Sequence, residues 1–131
     1  MSSRDPNDLC PELRPIYFQW LAGVKAAGHS IVEICTWRSL DEQAKLAKSG
    51  ASGRSHGPHN YVDAQGHPAS KAFDFALIIN GKLSWDTHID ADHDRRPDYE
   101  ECGKIGEDLG LVWGGRWKSL VDCDHLQLKG A

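Results

Sequence analysis

The sequence predicts a small single α+β domain over residues 1–131, with a mostly antiparallel sheet packed against helices. Three observations point there. Apolar residues recur at helical 3–4 spacing in three separate stretches. Short apolar, β-branched runs lie between and after them, without the regular alternation of a doubly wound sheet. Asn80-Gly81, set between two such runs, is a two-residue hairpin signal that joins antiparallel neighbours.

The elements follow in order. Leu13, Ile16, Tyr17, Trp20, Leu21 and Val24 form one face of a first helix from about Pro11 to Ala27, which Gly28 ends. Ile31–Cys35 reads as a buried strand. Ser39 can cap a second helix, with Asp41 and Glu42 at the positive end of its dipole and Leu40, Gln43, Ala44 and Ala47 on one face. Ser49–Gly66 is a long loop rich in Gly, Ser, His and Asn, a kind that usually serves function or moves. Lys71–Ile79 resumes as a strand, and Lys82–Trp85 returns across the hairpin. Pro97 opens a third helix carrying Tyr99, Cys102, Ile105 and Leu109, which Gly110 terminates. Leu111–Trp113 and His125–Leu128 are the last strands.

A chain of 131 residues can bury roughly two-thirds of its unfolded surface, enough for one core without disulfides. Hydrophobic residues are 40% and charged residues 26%, which excludes wholesale disorder. A formal net charge of −4 offers no basic field, so no nucleic-acid partner is expected. No apolar run approaches the roughly 18 residues of a membrane span. Residues 1–8 hold no apolar signal-peptide core, so the expectation is a chain made in the cytoplasm without a signal peptide. The four cysteines form no C-x-x-C pair. Cys35 and Cys102 read as small core residues, and no disulfide framework is expected.

Histidine carries more information. Of seven, at 29, 56, 59, 67, 88, 93 and 125, three crowd into one polar segment. Asp74 lies inside the apolar run Ala72-Phe73-Asp74-Phe75-Ala76-Leu77, where a carboxylate is costly unless paired or metal-bound. Asp122-Cys123-Asp124-His125 again sets acids beside a histidine at the mouth of an apolar strand. Each histidine alone would read as a hydrogen-bonded structural residue. Together with the acids they suit a catalytic zinc, which takes three His, Asp or Glu ligands and keeps a water for a nearby carboxylate to deprotonate. A second patch, His88, Asp90, Asp92, His93 and Asp94, resembles a calcium loop but lacks the Gly and final Glu of an EF-hand. It reads as a solvated loop before the third helix.

At these residues the chain resembles a known family. Arg38-Ser39 with Gln43, His59-Asn60, Ala72-Phe73-Asp74-Phe75-Ala76, Leu109-Gly110-Leu111-Val112-Trp113-Gly114-Gly115-Arg116-Trp117-Lys118-Ser119 and Asp122-Cys123-Asp124-His125-Leu126-Gln127 are similar to the zinc D-Ala-D-Ala carboxypeptidase and L-alanyl-D-glutamate peptidase family. VanY-like enzymes and phage endolysins belong to it. The resemblance spans about Ile34 to Leu128. It implies Asp74 and His125 as zinc ligands, Asp122 as general base and Arg38 as an electrostatic clamp on substrate or oxyanion. Ser39 and Gln43 would support from the helix behind.

The first ligand departs from the family pattern. His67 stands seven residues before Asp74, the simple family spacing, but Ser70 replaces the usual Gly. His59-Asn60-Tyr61 matches the family His-Asn-Tyr better, with Val62–Gly66 as an inserted turn, and Gly57 stands where the family has Ser. His59 is preferred, His67 is the alternative, and His56 is a poorer third. Ser55 or Ser70 could serve the substrate or oxyanion, and Trp37, Trp113 and Trp117 could wall a groove.

The resemblance implies a Zn2+-dependent endolysin that hydrolyses the peptidoglycan stem peptide at the L-alanyl-D-glutamate bond for host lysis. It would act as a monomer without membrane insertion, and reach the wall through a pore made by another protein. No separate wall-binding domain is expected. The alternatives are a D-Ala-D-Ala carboxypeptidase and a non-catalytic peptidoglycan-binding module of the same fold. A purely structural domain leaves the Asp74, Asp122 and His125 pattern unexplained.

Overall fold

Every strand of the five-stranded sheet pairs antiparallel with its neighbours. The structure is a computed structural model and describes residues 2–49, 57–118 and 121–131. The strands are β1 Ser30–Cys35, β2 Ala72–Ile79, β3 Lys82–Ser84, β4 Val112–Trp113 and β5 His125–Gln127. Their order is β1-β2-β5-β4, with β3 also on β2. The helices are α1 Leu13–Ala26, α2 Leu40–Ser49 and α3 Asp98–Asp108. Short 3-10 turns cover Pro6–Asp8, Pro58–Asn60 and Gly114–Arg116.

Local chemistry accounts for the elements. The apolar stripe of α1 buries Leu13, Tyr17, Trp20 and Val24, and Gly28 leaves the helix with φ +90°. Asn80 and Gly81 take φ 54° and 77°, the positive pair that a tight hairpin with right-twisted strands requires. Ser39 Oγ accepts from the Glu42 amide and caps α2. The return strand stops at Ser84, and Trp85 beyond it is 54% exposed.

Strand alternation divides β2 between two environments. Phe73, Phe75 and Leu77 join Trp20, Tyr17, Tyr99, Cys102 and Leu126 in the core, on the face covered by α1 and α3. The ring of Trp20 lies 4.9 Å from those of both Phe73 and Phe75. Asp74, between them, faces the other side. Cys102 and Cys35 are both buried. Two packing expectations fail. Leu40 is 56% exposed, and the side chain α2 buries is Gln43, drawn inward by Arg38. Trp113 is 5% exposed within the core, its indole N–H donating to the Cys123 carbonyl, so it walls no groove.

Candidate metal and catalytic site

Register assembles the site. Asp74 pairs with Cys35 on one side and His125 on the other, so three side chains stand in a row on the face away from the helices. A bulge between Glu33 and Cys35 makes this possible: Glu33 pairs with Phe75 and faces the core, while Cys35, two residues on, faces Asp74. His59 arrives from the 3-10 turn over the same face. That turn is fastened by Arg38 N–H to the His59 carbonyl (3.0 Å), Asn60 Nδ2 to the Arg38 carbonyl (2.9 Å) and Lys71 N–H to the Pro58 carbonyl (2.9 Å).

His59 Nδ1 is 2.8 Å from the Thr36 carbonyl, which can only accept, so Nδ1 carries the proton. His59 Nε2 is then a lone pair in the neutral ring. It is buried, has no hydrogen-bond partner, and lies 3.2 Å from Asp74 Oδ2. His125 repeats the arrangement with its nitrogens exchanged: Nε2 is 2.8 Å from Gln127 Oε1 and Nδ1 is 2.8 Å from Asp74 Oδ1. The two rings are 5.2 Å apart. Two imidazoles, each held from behind by a carbonyl oxygen, thus point their other nitrogens at one carboxylate. That is the outer-shell arrangement of histidine metal ligands. The orphaned Nε2 and the N, O, N donor chemistry suit zinc, with Asp74 shared between two groups of ligating atoms, Cys35–His59–Asp74 and Asp74–Asp122–His125.

Without a cation, protons must take its place. Burial opposes a charged His59, but the Asp74 carboxylate outweighs it and raises His59 well above the ordinary histidine range. Burial likewise pushes Asp74 up, yet His59 and His125 hold it well below the carboxylate range.

Asp122 offers an oxygen within 4.8 Å of ligand atoms on Asp74 and His125. Its backbone is locked by its N–H to the Gly114 carbonyl (3.0 Å), and a Cβ on Gly114 would strike the Asp122 carbonyl oxygen. Asp124, hydrogen-bonded to Asp122, is raised to about 9 by burial, by that bond and by the Asp74 charge.

Arg38 lies 3.7 Å from Asp74 Oδ2 and donates to Gln43 Oε1 at 2.8 Å, which gives Gln43 its role as a support from α2. The chain neighbours of Arg38 and His59 line a cavity of ≈ 430 Å3, formed by Trp37, Ser39, Leu40, Asp41, Asn60, Tyr61 and Val62. Trp117 lies beside His125, with ring centroids 5.3 Å apart and the planes tilted by 47°.

The structure therefore brings together His59, Asp74, His125, Asp122 and Arg38. It puts His67 elsewhere: its side chain is 75% exposed, on a turn where Asp63 Oδ1 accepts from the Gln65 and His67 amides. Ser70 cannot serve a substrate, because it is fully buried and its hydroxyl donates to the Ala72 carbonyl. Ser55 and His56 lie outside the described residues. Sequence reasoning missed Cys35, whose sulfur shares the space of His59 and Asp74. It also missed Glu33, raised to about 9 chiefly by burial and then by the Asp74 charge. Gln127 was within reach, since residues two apart on a strand share a face.

Comparison with known proteins agrees with this geometry. A family model described as D-alanyl-D-alanine carboxypeptidase matches residues 66–128, which hold Asp74, Asp122 and His125. The peptidoglycan L-alanyl-D-glutamate endopeptidase CwlK of Bacillus subtilis is 32% identical over 128 residues, covering 89% of this chain and 74% of that protein. Among solved structures, the L-Ala D-Glu endopeptidase ChiX of Serratia marcescens superposes with a TM-score of 0.71 at 20% identity, covering 98% of this chain and 88% of that one. The LdcB LD-carboxypeptidase shares the fold at a TM-score of 0.57 and 13% identity, over 92% of this chain and 58% of its own. With CwlK matched at that identity over most of both chains, and Asp74, Asp122 and His125 inside the family match, this chain belongs to the zinc-dependent D-alanyl-D-alanine carboxypeptidase family of peptidases.

Proposed function

We propose that this chain is a zinc-dependent endopeptidase that cuts the L-alanyl-D-glutamate bond of peptidoglycan stem peptides. The observation that carries the reading is the convergence of His59 Nε2 and His125 Nδ1 on the two oxygens of Asp74, with Asp122 at hand. The choice of bond is supported by the similarity to CwlK, whose name specifies it.

Zinc held by His59, Asp74 and His125 would supply a water of lowered pKa and a Lewis acid for the scissile carbonyl. Asp122 takes the proton of the attacking water and returns it to the leaving amine. Arg38 sets a fixed positive charge where the oxyanion develops. The cavity lined by Trp37, Asn60 and Tyr61 holds the stem peptide.

The test is mass spectrometry of purified muropeptides. New glutamate amino termini, abolished by chelation and restored by zinc, are expected. Release of terminal D-alanine alone would instead establish the carboxypeptidase that the family model's description favours. Zinc bound without turnover would establish a non-catalytic wall-binding module.

The biological setting we propose is that of a phage endolysin. This rests on the resemblance of Ile34–Leu128 to that branch. It predicts that cells making the protein lyse only when a second, pore-forming protein admits it to the wall.

A further inference from the structure

A second group of metal-ligating side chains lies at the other end of β1. His29, Asp92, Asp98 and Glu101 each offer one ligand atom, and all four atoms fall within 4.8 Å of one another. Three separate pieces of chain supply them. His29 follows Gly28 on the way into β1, Asp92 sits in the exposed stretch before α3, and Asp98 and Glu101 share one face of the first turn of α3.

Hydrogen bonding leaves this group incomplete. His29 Nε2 is 2.6 Å from Glu101 Oε2, and Asp98 Oδ2 accepts from the Ala91 amide at 3.3 Å. The remaining approaches, His29 Nδ1 to Asp98 Oδ2 and Nε2 to Asp92 Oδ2, are both 3.9 Å, too long for hydrogen bonds. Asp98 Oδ1 and Glu101 Oε1 are buried with no partner at all. Asp98 is 2% exposed and His29 7%. Among the described residues no lysine or arginine pairs with any of the three acids. One imidazole cannot balance three carboxylates, and buried carboxylate oxygens without donors are strongly disfavoured.

We infer that His29, Asp92, Asp98 and Glu101 bind a second divalent cation, a first-row transition ion such as zinc or manganese, that clamps the start of β1 to α3 and the stretch before it. The imidazole favours such an ion over calcium or magnesium, which take oxygen ligands. Six residue steps of strand separate His29 from Cys35, so the two sites are about 20 Å apart. This ion is thus structural, and its binding does not depend on the function proposed above.

The test is calorimetric titration of the chelator-stripped full chain with Zn2+ and with Mn2+, alongside thermal melts. His59→Ala is expected to keep one equivalent. Glu101→Gln and Asp92→Ala are expected to weaken that equivalent at least tenfold while leaving muropeptide hydrolysis intact. In His59→Ala, metal at 100 times the dissociation constant should raise Tm by roughly 5–10 °C, a rise that vanishes when Glu101→Gln is added. Asp92, exposed, keeps the test open if Glu101→Gln fails to fold. No ion bound by His59→Ala, or an ion bound equally well with and without Glu101→Gln, would overturn the inference and leave a hydrogen-bonded clasp only. A single wild-type equivalent lost in Glu101→Gln but not in His59→Ala would instead sink the catalytic zinc and leave this site standing.

Discussion

Two histidines, 59 and 67, competed for one role, and their surroundings separate them. His59 is 5% exposed, with its tautomer set by the Thr36 carbonyl, whereas the His67 side chain is 75% exposed, 3.5 Å from Asp63 on its own turn. Alanine at His59 is therefore expected to abolish catalytic zinc binding, and alanine at His67 to leave metal content and hydrolysis near wild type. Elemental analysis of the two purified variants checks this, and the reverse pattern would transfer the site to His67. Asp122→Asn keeps the shape but accepts no proton, so hydrolysis should fall by about two to four orders of magnitude with zinc retained. Near wild-type rates would point to Asp124 as the base.

At the scale of elements, the bulge in β1 and the Gly114 turn place the site. The bulge sends Glu33 inward, where the Tyr17 hydroxyl donates to it at 3.3 Å and its other oxygen has no partner. Glu33 stays protonated to about pH 9 in the folded protein, while in the unfolded chain it ionises near 4.5. Between those values the folded state holds the extra proton, so this group's stabilisation, full below 4.5, is lost as pH rises toward 9. Glu33→Gln removes the slope. Urea unfolding of metal-free protein should show the variant gaining on wild type between pH 5 and pH 8.5, and parallel curves would refute a protonated Glu33. Gly114→Ala tests the second device. Its methyl must displace the Asp122 backbone, at a cost of roughly 1–3 kcal/mol, and turnover should fall further than stability alone explains. An unchanged kcat would show that Asp122 tolerates the shift.

For the molecule as a whole, the proposed zinc joins segments far apart in sequence: the turn at 58–60, β2 and β5. Its removal should therefore lower global stability. At 1,000 times the dissociation constant a ligand adds about 4 kcal/mol to folding, so chelation is expected to drop Tm by roughly ten degrees. Differential scanning with and without chelator measures this, and coincident melts would show that no ion ties these segments together.

What the sequence by itself determined is what depends on near neighbours. The 3–4 spacing from Leu13 to Val24 specifies α1, Asn80-Gly81 specifies the hairpin, and Phe73-Asp74-Phe75 specifies that one acid must face away from its apolar neighbours. The motif residues Arg38, Asp74, Asp122 and His125 were legible for the same reason, because each sits in a distinctive short string. Register across strands and the docking of loops belong to tertiary structure. Only β1 pairing on β2 reveals Cys35 beside Asp74, and the packing of the 58–60 turn carries His59, already preferred from its His-Asn-Tyr string, onto the face of Asp74. The exposure of Leu40 and the burial of Trp113 were decided in the same way, by what α2 and β4 meet. His29, 63 positions before Asp92 in the chain, joins its acids only because α1, β1 and α3 pack as they do. Side-chain periodicity is a property of a few residues, whereas a binding site is a property of segments whose separation along the chain carries no local signal.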